Sequence, residues 1–134
     1  MTDDQRDFVH ASLERYVGEG RFGHREHLEL CVVAIRRFGA DAALPVVAAF
    51  IRHFSEAHGA AQKYHETLTR FWTAATAHAL ALTKADDVDA LVAAHPQLLD
   101  RGLAERHWSR EVLFSDAARA AWLAPDVRPL HFAA

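Results

Sequence analysis

The chain has 134 residues, of which 51% are hydrophobic and 25% are charged, with a formal net charge of −3. Such a composition is typical of a folded protein rather than a disordered one, and the length predicts one domain covering residues 1–134. The acidic balance, without any cluster of Lys or Arg, argues against binding to DNA or RNA.

Three further features bear on the compartment. The longest apolar run, residues 42–51, falls short of the roughly 20 residues that cross a bilayer. Asp3 and Asp4 stand where a signal peptide would be basic and then apolar. The lone cysteine, Cys31, cannot form an internal disulfide, which is usual in a reducing compartment. We therefore expect a cytoplasmic protein that does not associate with membranes, and the sequence leaves a homodimer open.

Helix signals begin at the N-terminus. Thr2 followed by Gln5 has the spacing of a capping box and predicts a first helix over Asp3–Val17. After a glycine-rich turn, apolar residues at helical spacing predict a second helix over His24–Phe38. This helix ends at Gly39, because glycine readily takes the backbone conformation of a helix C-terminus.

The third predicted helix begins at Asp41 or just after it and ends at Gly59. Pro45 fits this helix only if it lies in the first turn, where a missing N–H costs nothing. His53 and His58 lie at the edge and at the end of this helix, and both are interpreted as structural.

The fourth helix, predicted over Ala61–Leu82, is the centre of the predicted fold because its apolar positions keep a helical spacing throughout. The inward stripe consists of Ala61, His65, Leu68, Trp72, Ala75, Ala79 and Leu82. The outer face holds Lys63, Glu66, Arg70 and Thr73. Glu66 and Arg70 are four residues apart, as in a helical ion pair.

Shorter elements follow. We expect a short helix over Val88–Ala94, bent helical pieces over Pro96–Trp108, and two helices capped by serine over Arg110–Phe114 and Asp116–Leu123. The tail, residues 125–134, contains two prolines and is expected to be irregular. The predicted fold class is therefore all-α: a compact bundle of four main helices, short C-terminal helices and an irregular tail.

The ten histidines are the unusual feature of the composition. His24 and His27, three residues apart, face inward at the start of the second helix, and His65 faces inward on the fourth. Three imidazoles from two packed helices match the ligand set of a mononuclear metal with open coordination positions. Zn, Cu and Fe all accept imidazole ligands, so the sequence predicts a transition-metal site of one of these kinds.

Residues near His65 complete the predicted active site. Tyr64 and Thr69 have hydroxyl groups that could orient His65 or a substrate, so we interpret them, with His65, as catalytic. The expected aromatic walls of a substrate pocket are Phe54, Phe71, Trp72 and Trp108. Cys31 lies within an aliphatic stripe and is interpreted as inert core rather than as a nucleophile.

The leading functional hypothesis is a small-molecule enzyme with a metal held by His24, His27 and His65, its reaction hydrolytic, lyase or cyclase, or oxidative. One alternative removes the metal and makes His65 or His24 a general acid or base, in a condensing or cyclising enzyme of specialised metabolism. The other alternative is a non-catalytic module that binds a metal or a small ligand.

Four short motifs carry a resemblance. They are Phe22-Gly-His24-x-x-His27-Leu28, Tyr64-His65-x-Thr67-Leu68-Thr69, His95-Pro96-x-Leu98-Leu99-Asp100 and Pro125-Asp126-x-x-Pro129-Leu130. In these motifs the chain resembles a group of small all-helical bacterial proteins without an established activity. The resemblance implies a shared helical architecture and a shared histidine-bearing site, and it implies no substrate.

Overall fold

The structure, a computed structural model, describes residues 1–134 and contains helices but no strand. The α-helices are α1 Asp3–Glu19, α2 His24–Phe38, α3 Ala40–Ala57, α4 Glu66–Thr83, α5 Val88–Ala94, α6 Arg110–Leu113 and α7 Asp116–Ala120. Three short 3₁₀ helices cover Ala61–Lys63, Pro96–Leu99 and Leu103–Arg106. The all-α prediction is confirmed. None of the helices combines the length and the apolar composition needed to cross a bilayer.

Local caps set several helix ends as predicted. The Gln5 amide donates to Thr2 Oγ1 at 3.1 Å, and the Thr2 amide donates to Gln5 Oε1 at 2.9 Å, which completes the capping box. Ser109 and Ser115 cap α6 and α7 through their hydroxyl oxygens. Helix α2 has the predicted bounds, whereas α6 and α7 end earlier than predicted, at Leu113 and Ala120.

Pro45 departs from the prediction. Helix α3 begins at Ala40, so Pro45 lies in its second turn rather than its first. The proline ring removes the N–H that would donate to the Asp41 carbonyl. Since this lost bond is close to the N-terminus of α3, the rest of the helix continues to Ala57.

The core forms two hydrophobic clusters with α2 between them. Leu28 and Val32 of α2 pack in the cluster that contains α4, α5 and the C-terminal segments. Cys31 and Ala34, on the other face of α2, pack with α1 and α3 around Phe50. Helix α2 is therefore fixed on two sides, which gives the residues at its N-terminus a defined position.

Helix α4 begins later than predicted, at Glu66, because His65 is its N-cap in an extended conformation. The predicted faces were wrong at three positions: Ala61 and Leu82, predicted inward, are exposed, Leu82 at 67%, whereas Thr73, predicted outward, is 3% exposed. Neighbours cover α4 on several sides, so threonines are buried on it as well. The hydroxyls of Thr69 and Thr73 each donate to a backbone carbonyl one turn earlier at 2.8 Å, which satisfies these polar groups.

The predicted ion pair between Glu66 and Arg70 does not form. Glu66 accepts a hydrogen bond from the Tyr64 hydroxyl at 2.7 Å and pairs with Arg52 at 3.3 Å. Arg70 instead donates to the carbonyl of Ala134 at 2.6 Å, in the C-terminal tail. Contacts with α3 and the tail therefore replace the expected pair within α4.

The C-terminal tail is irregular, as predicted, and packs against α4 and the preceding segments. The amides of Val127 and Arg128 donate to the His107 carbonyl at 2.9 and 3.1 Å. Phe132 packs on His78, with ring centroids 5.3 Å apart. These contacts hold the tail along one side of α4.

Candidate functional site

His24, His27 and His65 line one cavity of about 340 Å³. The start of α2 forms one wall, the start of α4 a second, and the segment 101–114 a third. The remaining lining residues are Phe22, Gly23, Ile51, Lys63, Leu68, Thr69, Trp72, Arg101, Ala104, Glu105, Leu113 and Phe114. The structure thus brings residues from opposite halves of the chain to one cavity.

His24 is the first residue of α2, and its ring is held from two sides. Its Nε2 lies 2.7 Å from the Leu98 carbonyl oxygen, and a carbonyl only accepts, so Nε2 carries the proton. The ring also meets Trp72 edge-to-face, with centroids 4.4 Å apart. Because the Nε2–H tautomer leaves Nδ1 as an acceptor, His24 has one basic nitrogen free for a ligand.

His27 lies one turn further along α2. Its Nε2 is shielded from solvent and has no hydrogen-bond partner in the protein. Burial, together with the neighbouring His24, lowers the pKa of His27 to about 4. His27 is therefore a neutral imidazole at physiological pH.

His65 is fully engaged in the fold. Its Nδ1 accepts the Leu68 amide at 3.0 Å as the N-cap of α4, and its Nε2 donates to the Leu113 carbonyl at 2.6 Å. Burial lowers its pKa, so the ring is neutral, as both hydrogen bonds require. Since both nitrogens are used, His65 ties α4 to the end of α6.

In this arrangement the three histidines of the predicted ligand set do not meet as one metal-binding group. No group of three or more His, Cys, Asp or Glu side chains has the geometry to hold a metal ion. A metal on His65 would have to replace one of its two backbone hydrogen bonds. The side chains that line the cavity thus do not fit the mononuclear Zn, Cu or Fe site that the sequence predicted.

The two hydroxyl residues predicted as catalytic also make structural contacts. Tyr64 does not line the cavity, and its hydroxyl donates to Glu66 at 2.7 Å. Burial, chiefly, and the bond to Glu66 raise the pKa of Tyr64 to about 12. Thr69 does line the cavity, but its hydroxyl donates to the His65 backbone carbonyl at 2.8 Å.

Only one of the predicted aromatic walls lines this cavity, namely Trp72. Phe54 packs against Phe22 and Phe50 without reaching the cavity. Phe71 and Trp108 contact each other edge-to-face in the buried core, with centroids 5.5 Å apart. Phe54, Phe71 and Trp108 therefore do not line this cavity.

Lys63 and Arg101 are lining residues that the sequence reasoning missed. Both are exposed on the rim, and neither takes part in an ion pair, whereas Glu105 on the same rim pairs with Arg110. The helical periodicity placed Lys63 on the outer face of the fourth helix, but Lys63 ends a 3₁₀ helix before α4 begins. Arg101 lies in a turn, where no periodicity applies. The one available signal was the position of Lys63 two residues before His65.

Cys31 is core, as predicted. The thiol is buried, with Sγ 3.8 Å from the Thr73 hydroxyl oxygen, and burial raises its pKa to about 12. A thiol that stays protonated at neutral pH is a poor nucleophile. Among the imidazoles at the cavity, His24 thus keeps one nitrogen without a bond in the protein while its other nitrogen is fixed, and His27 Nε2 has no partner.

A scan of protein-family models and searches of curated proteins and of solved structures find no match to the chain.

Proposed function

We propose that the chain binds a small organic molecule in the histidine-lined cavity and that His24 exchanges a proton with it. The observation that supports this proposal most directly is the 2.7 Å bond from His24 Nε2 to the Leu98 carbonyl. This bond fixes the tautomer and leaves Nδ1 as the proton acceptor. The step needs no metal held by the three histidines.

The Leu98 carbonyl also keeps its hydrogen bond to Nε2 in the protonated state that such a step creates. When Nδ1 takes a proton, the bond from Nε2 to Leu98 becomes charge-assisted, and such bonds are roughly twice as strong as neutral ones. The edge of Trp72 restricts the ring on another side. A base held in one orientation is what proton transfer requires.

The neutral state of the neighbouring His27 allows His24 to carry a positive charge without repulsion from a second one. With a pKa of about 4 it remains neutral, so it does not repel a proton arriving on His24. Two protonated rings at this distance would repel each other, and the neutral state of His27 avoids this repulsion.

The walls and the rim indicate the substrate class. Trp72, Phe22 and Phe114 provide aromatic surface, while the unpaired cations Lys63 and Arg101 lie on the rim. An apolar body with one carboxylate would place the body inside and the charge near these cations. The reaction that we propose is a proton-transfer step on such an acid, in a condensing or cyclising enzyme of specialised metabolism.

A second candidate is a binding module without catalysis. It is favoured by the engagement of Tyr64, His65 and Thr69 in structural hydrogen bonds, which leaves few groups for chemistry. The same cavity and the same rim cations would then serve recognition alone.

Phenylpyruvate suits a test, because it is an aromatic acid with an exchangeable C–H. We expect the protein to bind it and to accelerate deuterium uptake from D₂O at that carbon, measured by mass spectrometry. His24→Gln should retain binding within a fewfold and lose the acceleration. His53→Gln, an exposed histidine outside the cavity, is the matched control and should behave as wild type.

The rim cations give the same assay a second arm. Lys63→Gln and Arg101→Gln should weaken binding of phenylpyruvate but not of its neutral methyl ester. The control variant Lys84→Gln should leave binding of both compounds unchanged. Binding of phenylpyruvate without accelerated deuterium uptake would favour the second candidate, the binding module without catalysis, over the enzyme. Absence of binding, or acceleration that survives in His24→Gln, would overturn the proposal.

A further inference from the structure

A second cavity, of about 360 Å³, lies on the other side of the segment that carries Leu98. Helix α4 forms one wall, the segment 95–107 forms another, and residues 128–132 of the tail form the third. The cavity is thus built from three separate parts of the chain and is distinct from the site of His24.

All charged residues in the lining of this second cavity are basic. Among its 15 lining residues there are two arginines and four histidines, but no Asp or Glu. The chain as a whole has 18 acidic residues against 15 basic ones, so this lining differs from the average surface. A cavity with donors and cations, and without carboxylates, favours an anionic ligand.

Hydrogen bonds within the protein identify which of these groups are free. His95 bonds the Thr83 hydroxyl, and His107 Nδ1 donates to the Arg128 carbonyl at 3.1 Å. Arg106 pairs with Asp100 at 3.2 Å. The remaining groups are the side chains of His78, His131 and Arg128, and the rings of His78 and His131 are 5.3 Å apart.

The rest of the lining is apolar. The rings of Phe71 and Phe132 lie 6.1 Å apart on one side of the cavity, next to Ala75 and Leu98. Phe71 is fully buried behind Phe132, so the partly exposed ring of Phe132 offers the surface to a flat apolar group. The imidazole and guanidinium donors come from both α4, which carries His78, and the tail, which carries Arg128 and His131.

We infer that this second cavity binds a small aromatic oxyanion, a carboxylate or a phosphate ester, between α4 and the tail. The anion contacts His78, His131 and Arg128, and the ring packs on Phe132. Arginine pairs with both oxyanions through two parallel N–H bonds, so both remain in the same chemical class.

The test follows the imidazole signals of His78 and His131 by NMR, assigned with the variants His78→Gln and His131→Gln. Phenyl phosphate, benzoate and benzyl alcohol are titrated into the full chain. We expect at least one of the two anions to shift both signals in a saturable way, and the neutral alcohol to bind more weakly. The stronger of the two anions identifies the oxyanion.

Arg128→Gln removes an exposed side chain and should weaken binding of the anion roughly threefold to tenfold. Arg21→Gln, an equally exposed arginine that lines neither cavity, is the matched control and should leave the titration at His78 unchanged. Equal binding of benzyl alcohol, no shift with any probe, or an unchanged affinity in Arg128→Gln would each overturn the inference.

Discussion

Replacement of His65 by leucine tests the structural role that the hydrogen bonds give this residue. Loss of the cap on the Leu68 amide costs about 1 kcal/mol, and an unsatisfied Leu113 carbonyl costs about 1–3 kcal/mol. Burial of the leucine side chain returns about 1 kcal/mol. We therefore expect His65→Leu to lower the free energy of unfolding by about 1–3 kcal/mol, measured by urea denaturation followed by circular dichroism.

A second variant separates the two hydrogen bonds. Asparagine is a good N-cap but too short to reach the Leu113 carbonyl, so His65→Asn should be more stable than His65→Leu by about 1 kcal/mol. His53→Leu, at an exposed histidine, is the control and should change stability by less than about 0.5 kcal/mol. If His65→Leu proved as stable as wild type, His65 would only fill space in the core, and its two hydrogen bonds would contribute nothing to stability.

Further predictions concern pH, thiol reactivity and metals. The pKa of His27 is about 4 in the folded protein and 6.5 in the unfolded chain, so the unfolded chain binds a proton at His27 at higher pH. This protonation leaves the free energy of unfolding unchanged above pH 6.5 and lowers it as the pH falls toward 4. His27→Phe should therefore lose less stability than wild type between pH 7 and pH 4, by up to about 3 kcal/mol, in urea titrations at each pH. Cys31 should not react with Ellman's reagent in the native state and should react fully in denaturant, and fast native labelling would contradict its burial. EDTA should leave the urea midpoint unchanged, whereas a lowered midpoint would mean that a metal stabilises the fold.

Helix ends were predictable where the signal is local. Such signals act within a few residues. The capping box of Thr2 and Gln5 sets the start of α1 at Asp3, and Gly39 sets the end of α2 at Phe38, both as predicted. The start of α4 was missed because a histidine, which is not among the usual N-cap residues, caps it. His65 was placed inside the helix by its spacing, although its ring faces inward from the cap position.

The cavity was predictable only in part. The spacing of His24 and His27 predicts that both face inward, because this depends on α2 alone. The positions of Phe71 and Trp108 depend on how the C-terminal segments fold over α4, which hydrophobic periodicity does not encode. Arg101 reaches the rim from a turn, so its contribution follows from the tertiary fold.

A measurement of the tautomer of His24 tests the proposed proton exchange most directly. Long-range ¹H–¹⁵N NMR of the imidazoles near neutral pH should show a protonated Nε2 and an unprotonated Nδ1 at His24, and phenylpyruvate should shift the Nδ1 signal. A proton on Nδ1, or an Nδ1 signal that does not respond while the ligand is bound, would contradict the proposal that His24 exchanges a proton with the ligand.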